Sequence, residues 1–260
     1  MSKGLLDPKV DFVFKNIFGS PNHPEILISF LNATLKAKKK IVNVDIKKTD
    51  IEKQYIEDKY SRLDVKATTS NDEIINIEIQ LKNENNMVKR SLYYLSKMYE
   101  EQLNEKEDYS KLVRTVCINI LNFKYLKTDN FHTGYRFKEI ESNEELTDIM
   151  EVHFIEIPKL QDSSDEKDML VAWTEFLKDP ESEKVRGLEL SIEEIRQAKD
   201  ELIRMSNDST QRELYDMRAN SLRDKMSELN AAERKGIEKG REEGRKEEKI
   251  KIARNMKLSG

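Results

Sequence analysis

The stretch DKYSRLDVKATTSNDEIINIEIQ, residues 58–80, constrains the fold of this chain more than any other. It reads as two strands joined by a polar turn. In the first, Leu63, Val65 and Ala67 alternate with Asp64 and Lys66. In the second, Ile75, Ile77, Ile79 and Leu81 alternate with Asn76, Glu78 and Gln80. A period of two puts each set on its own face. The intervening Thr69-Ser70-Asn71-Asp72-Glu73 has the composition of a hairpin loop. If the strands pair, Asp64, Glu78 and Gln80 share one face, and the two carboxylates form an oxygen-rich pocket suited to a hard divalent cation such as Mg²⁺.

A polar face is also ordinary in a half-solvated antiparallel hairpin. Against that, residues 74–81 are otherwise strongly apolar and read as a central strand. An acid and an amide buried there need partners, because unpartnered buried polar groups cost free energy.

Charged residues make up 37% of the 260, and apolar residues also 37%. That excess of charge predicts long exposed helices or a tail beside the globular part. The net charge of −4 argues against a uniformly basic nucleic-acid coat but leaves room for a local groove. The one cysteine, Cys117, lies in VCINIL and reads as a small buried apolar residue. His23, His132 and His153 have no zinc spacing. MSKGLLDPKV does not read as a signal peptide, and no apolar run reaches membrane-spanning length; a cytosolic protein is expected.

Along the chain, Asp7 and Pro8 predict a helix cap and first helical residue. Val10, Val13, Phe14, Ile17 and Phe18 form one face of that helix, and Gly19 ends it. Asp11 is either a contributor to the acidic site or half of a surface pair with Lys15. Residues 24–40 predict a second amphipathic helix whose terminal lysines 36 and 38–40 suit a solvated end. Strands follow at 41–46, and an edge strand or loop at 50–56. After the hairpin, residues 87–104 predict a helix carrying Lys89, Arg90, Tyr93, Tyr94 and Lys97. Arg90 and Tyr94 share a face, and Arg90 follows the site strand most closely. Strands are predicted at 113–123, 135–138 and 150–157, with Val152, Phe154 and Ile157 as core.

From Asp165 the pattern is helical. Ser191 with Glu194 predicts a capping box. A long charged helix begins near Thr210, and glycine recurs at 236, 240 and 244. Charged residues between these glycines exclude a membrane pairing motif. Interior glycine costs about 1 kcal/mol relative to alanine, so weak or fraying helix is expected there, as a linker or a close seam between two soluble helices. Residues 231–260 carry a net +4 and the rest −8, a bias suited to an interaction arm or to nonspecific phosphate attraction.

The succession DFVFKNIFG, LISFLNATL, EDKYSRLDVKA, INIEIQ with a following R-x-x-x-Y, and VHFIEIPKL resembles the recombination-promoting nuclease/transposase (Rpn-type) family of PD-(D/E)XK nucleases, over roughly residues 7–160. The resemblance implies an α/β, restriction-endonuclease-like mixed sheet flanked by helices. Residues 1–160 would be that core, 161–230 a helical C-terminal extension, and 231–260 a charged glycine-spaced tail. It implies Mg²⁺-dependent cleavage of double-stranded DNA in bacteria, with Mn²⁺ able to substitute, linked to recombination or mobile elements. Asp64 falls at the family's metal-binding aspartate, Glu78 at the first acid of the (D/E)-x-K element, Gln80 at the lysine position, and Asp11 at the N-terminal helix acid. Asp64, Glu78 and the carbonyl of Ile79 would hold the ion, Lys66 and Arg90 would meet DNA, and the metal or one of those cations would supply the charge that the neutral Gln80 does not. A dimer joined through the C-terminal helices would bring two sites to a duplex. The alternative is a nuclease-fold oligomer that binds DNA or protein and cleaves poorly. No recognition helix or zinc module for reading bases stands out.

Overall fold

The computed structural model describes residues 4–36, 39–47, 65–165 and 167–258. The segment from 48 to 64, which contains Asp64 and the strand or loop expected at 50–56, lies outside the described residues.

The apolar alternation of residues 65–80 becomes the hairpin β2 (Val65–Thr69) and β3 (Ile74–Gln80), with Val65 opposite Ile77 and Lys66 opposite Asn76. β1 (Val44–Lys47) pairs antiparallel outside β2. On the other side β3 runs parallel to β4 (Thr115–Leu121), setting Glu78 opposite Asn119. β4 runs parallel to β6 (Glu145–Glu156), and β5 (His132–Lys138) closes the edge antiparallel to β6. The result is a mixed six-stranded sheet in the order β1-β2-β3-β4-β6-β5. β3 is central, and its middle five residues are all buried. The half-solvated hairpin is therefore not what forms: parallel pairing to β4 and a helix on the polar face bury it. β4 is apolar and wholly buried, with Cys117 in its middle, as expected of a parallel strand covered on both faces.

α3 (Met87–Glu100) lies on the face bearing Asn76 and Glu78. Its Met87 and Leu95 pack with Cys117, Leu121, Val152 and Phe154. α3 also turns Ser91, Tyr94 and Met98 inward, while Leu92 remains 48% exposed. On the other face lies α1 (Asp11–Phe18): a Cβ on its closing Gly19 would stand 3.3 Å from Val65 Cγ2. α1 buries Val13, Phe14, Ile17 and Phe18, as its periodicity predicts. α2 (Pro24–Leu35) packs against it. Next come α4 (Met169–Lys178), α5 (Glu183–Glu189) and α6 (Glu193–Asn207), of which α4 and α6 pack on α2, and α6 also on α1. α7 spans Ser209–Leu258. One compact unit ends at Tyr215 and a second begins at Asp216. Among the described residues no helix is long and apolar enough to cross a membrane.

Several ends differ from expectation. α1 starts at Asp11, three residues after Pro8, because Asp7 Oδ1 accepts from the Lys9 amide at 2.9 Å and closes a turn of its own. α2 stops at Leu35, where Lys36 takes a left-handed conformation (φ 45°) and pairs with Asp168 at 3.2 Å. Ser191 donates its hydroxyl to the Leu188 carbonyl at 3.2 Å, and α6 opens after Ile192 with no side-chain cap. The glycines at 236, 240 and 244 do not interrupt α7. Strong helix formers separate them, and Lys239 and Glu243 lie 3.9 Å apart at i,i+4 spacing.

A polar chain ties the strands together on the face opposite α3. Thr69 Oγ1 donates to Glu73 at 2.9 Å, and Arg114 bridges Glu73 and Glu151. Glu151 Oε1 lies 2.8 Å from His153 Nε2, and His153 Nδ1 lies 2.9 Å from His132 Nε2. A carboxylate only accepts, so His153 carries its proton on Nε2 and accepts from His132 through Nδ1. Burial and the neighbouring His153 lower the His132 pKa from 6.5 to about 4. Burial raises that of Glu151, but hydrogen bonds from His153 and Arg114 outweigh it and hold the carboxyl at about 2. Both folded values lie below the unfolded ones, so the unfolded chain binds the extra protons. The contribution of these two groups to stability is expected to be full above pH 6.5. It falls as His132 titrates between 6.5 and 4, by about 3 kcal/mol, and falls again between 4.5 and 2 through Glu151. Urea unfolding across this range checks it: His132→Asn should flatten the first limb, and an unchanged limb would remove His132 as its cause.

Candidate active site

The polar face of β3 holds the candidate site. Glu78 is fully buried. Its Oε2 accepts from Arg90 Nε of α3 at 3.2 Å, and its Oε1 has no hydrogen-bond partner among the described residues. Burial raises the carboxyl's pKa above its ordinary 4.5, and the Arg90 charge offsets this only in part. Arg90 is poised by α3: its guanidinium carbon lies 5.4 Å from the ring centroid of Tyr94, one turn on. Burial works to lower the Arg90 pKa, and Glu78 outweighs it. The sequence pairing of Arg90 with Tyr94 on one helical face is thus realised, and the structure joins Arg90 to Glu78.

The other candidates are placed as follows. Gln80 ends β3, half-buried, on the Glu78 side of the strand, and its carbonyl accepts from the Asn122 amide at 2.9 Å. Ile79 is buried with its side chain on the opposite side. Lys66 faces the Glu78 side opposite Asn76, but its ammonium lies 3.9 Å from Glu101, and burial lowers its pKa. Asp11 opens α1 on the other face of the sheet, where its Oδ1 accepts from the Phe12 amide at 2.7 Å. Asp64 lies outside the described residues. It precedes Val65 in the chain, and Val65 pairs with Ile77, the neighbour of Glu78.

Three buried polar side chains of the site carry no family signature. Asn76 is fully buried, with Oδ1 unpartnered among the described residues. Asn119 accepts from Ser91 Oγ at 2.9 Å and donates to the His153 carbonyl at 3.1 Å. The signal for the two asparagines was their setting: each stands between isoleucines in an apolar strand.

A buried carboxylate with one oxygen satisfied and the other bare is costly unless something further binds it. The bare oxygen suits a hard cation. Among the described residues, however, no group of three or more His, Cys, Asp or Glu is arranged to hold a metal ion. The donor set here fits such an ion to the extent of Glu78, and further ligands must come from outside the described residues, from backbone carbonyls or from water.

The ion pair is lopsided, since the Glu78 side chain is wholly buried and that of Arg90 21% exposed. Arg90→Leu would strand a buried carboxylate, at about 3 kcal/mol. It would also raise the Glu78 pKa further. A raised folded pKa leaves stability intact below 4.5 and loses it as pH rises through the folded value. Denaturant titrations should therefore show the variant's deficit against wild type growing from pH 5 to pH 8; a constant deficit would contradict the ion-pair account.

The family model for the PD-(D/E)XK nuclease family transposase matches residues 8–232. No curated protein and no solved structure matches the chain.

Proposed function

The chain belongs to the PD-(D/E)XK nuclease family transposases, and on that premise we propose that it is an endonuclease that hydrolyses DNA phosphodiesters with a divalent metal, Mg²⁺ by preference, in recombination or the movement of mobile elements. The observation that carries the reading is Glu78: a fully buried carboxylate, bare on one oxygen, in the middle strand of the sheet.

Glu78 and Asp64 would hold the metal, with the Ile79 carbonyl as a further oxygen ligand. A divalent cation supplies a coordinated water of lowered pKa and neutralises charge on the phosphate. Arg90 balances Glu78 and keeps its carboxylate oriented through Oε2, leaving Oε1 for the ligand. Gln80 hydrogen-bonds water or phosphate but adds no charge, which supports slow turnover or a need for high metal concentration. Asp11, on α1 across the sheet from Glu78, is given no role in this reading. Supercoiled DNA incubated with Mg²⁺, Mn²⁺ or EDTA tests the reading. Nicking or linearisation in the first two only, lost in Asp64→Ala, is the expected result. Equal cleavage by Asp64→Ala would remove that residue from the site.

A second reading, a nuclease fold that binds DNA and cleaves poorly, is favoured by Gln80 and by the hold of Arg90 on Glu78. Salt-dependent DNA binding without metal-dependent cleavage would mark it.

A further inference from the structure

The outward side of α3 carries residues that the site does not use. Residues four apart line up along a helix, about 6 Å apart on its axis. One such ridge, Arg90 and Tyr94, is engaged with Glu78. The next is Lys89, Tyr93 and Lys97. Tyr93 is 51% exposed, and its ring meets that of Tyr94 edge-on, with centroids 5.6 Å apart and planes at 66°. This contact braces the phenol and leaves half its surface in solvent. Lys89 is exposed, with no ion pair among the described residues. Lys97 lies 3.6 Å from Glu100 and 3.5 Å from Glu101, so the positive field is stronger at the Lys89 end.

A half-exposed aromatic ring between two lysines is poorly suited to an apolar protein partner, which would have to desolvate both ammonium groups. It suits a polyanion that also presents flat aromatic faces. In a duplex those faces are stacked on one another, whereas an unpaired nucleotide offers its face to a side chain. We propose that the Lys89–Tyr93–Lys97 ridge binds a DNA strand, with Tyr93 stacking on an unpaired base and the lysines meeting the flanking phosphates. The preferred substrate class is then DNA with unpaired nucleotides beside the scissile phosphate. This rests on the nuclease reading and adds the substrate class to it.

The test uses the full-length protein in EDTA, where binding is separated from cleavage. Fluorescence anisotropy is measured on a labelled single-stranded oligonucleotide and on the duplex of the same sequence. Tyr93→Ala is expected to weaken single-strand binding by about tenfold, the scale of one lost base stack. Duplex binding should change by less than about twofold. Tyr93→Phe keeps the ring and should bind as wild type, which separates stacking from any general disturbance of α3. Lys89→Gln should reduce the slope of log affinity against log salt by about 0.7 on the single strand. If Tyr93→Ala binds the single strand as wild type does, or loses as much on the duplex, the ridge proposal is overturned. In that case metal-dependent cleavage by the wild type would leave the nuclease reading standing. A wild type that binds neither DNA overturns both.

Discussion

Glu78→Gln is expected to lower metal-dependent DNA cleavage by roughly a thousandfold while leaving the melting temperature unchanged or raised. On the proposed reading the activity loss follows from removing a charged metal ligand whose contribution to the transition state would be several kcal/mol, and about 4 kcal/mol corresponds to three decades in rate. The stability gain follows from burial, which raises the Glu78 pKa and so penalises the ionised form at neutral pH. Glutamine keeps the shape and removes the charge. Arg90, with a fifth of its side chain in solvent, can be hydrated without its partner. Divergence between the two readouts distinguishes a functional carboxylate from a structural one. A variant that keeps its activity, or loses activity and stability together, would argue that the buried ion pair serves the fold alone.

Trp173→Ala carries the largest expected effect on stability. The indole is fully buried, edge-on to Phe18 at 5.3 Å and to Phe176 at 6.1 Å, and its Nε1 donates to Ser29 Oγ at 3.2 Å. Truncation to alanine at such a site costs about 3–5 kcal/mol, or roughly 10 °C of melting temperature for a unit of this size. Differential scanning calorimetry reads it directly, with exposed Leu190→Ser as a control expected to stay within about 0.5 kcal/mol of wild type. The same packing means that a chain ending near Lys159 would lose Trp173 and expose Phe18. Such a fragment is expected to aggregate, so oligomeric state is best measured on the full chain.

How much of this could be read from residues alone varies with how local the cause is. β3 was legible because isoleucine at every second position marks one buried face of a strand, and the Glu78 in so apolar a run had to be there for a reason. Arg90 with Tyr94 was legible because helical spacing decides which residues are neighbours. The burial of Asn76 and Asn119 was not: it depends on β3 pairing parallel with β4 and on α3 covering that face, and neither is a local property. The caps failed for a related reason. Asp7 and Ser191 are good cap residues, but each found another partner within three residues. The helical pattern after Asp165 was legible; what α4 and α6 meet, α2 and for α6 also α1, is set by tertiary packing.

Metal uptake by the purified protein tests the central claim most directly. In isothermal titration with Mn²⁺, wild type should bind the ion, and Glu78→Gln should show that binding lost or weakened by at least about tenfold, with its fold intact by circular dichroism. Uptake of the same affinity and stoichiometry in both proteins would show that Glu78 is not where the ion is held.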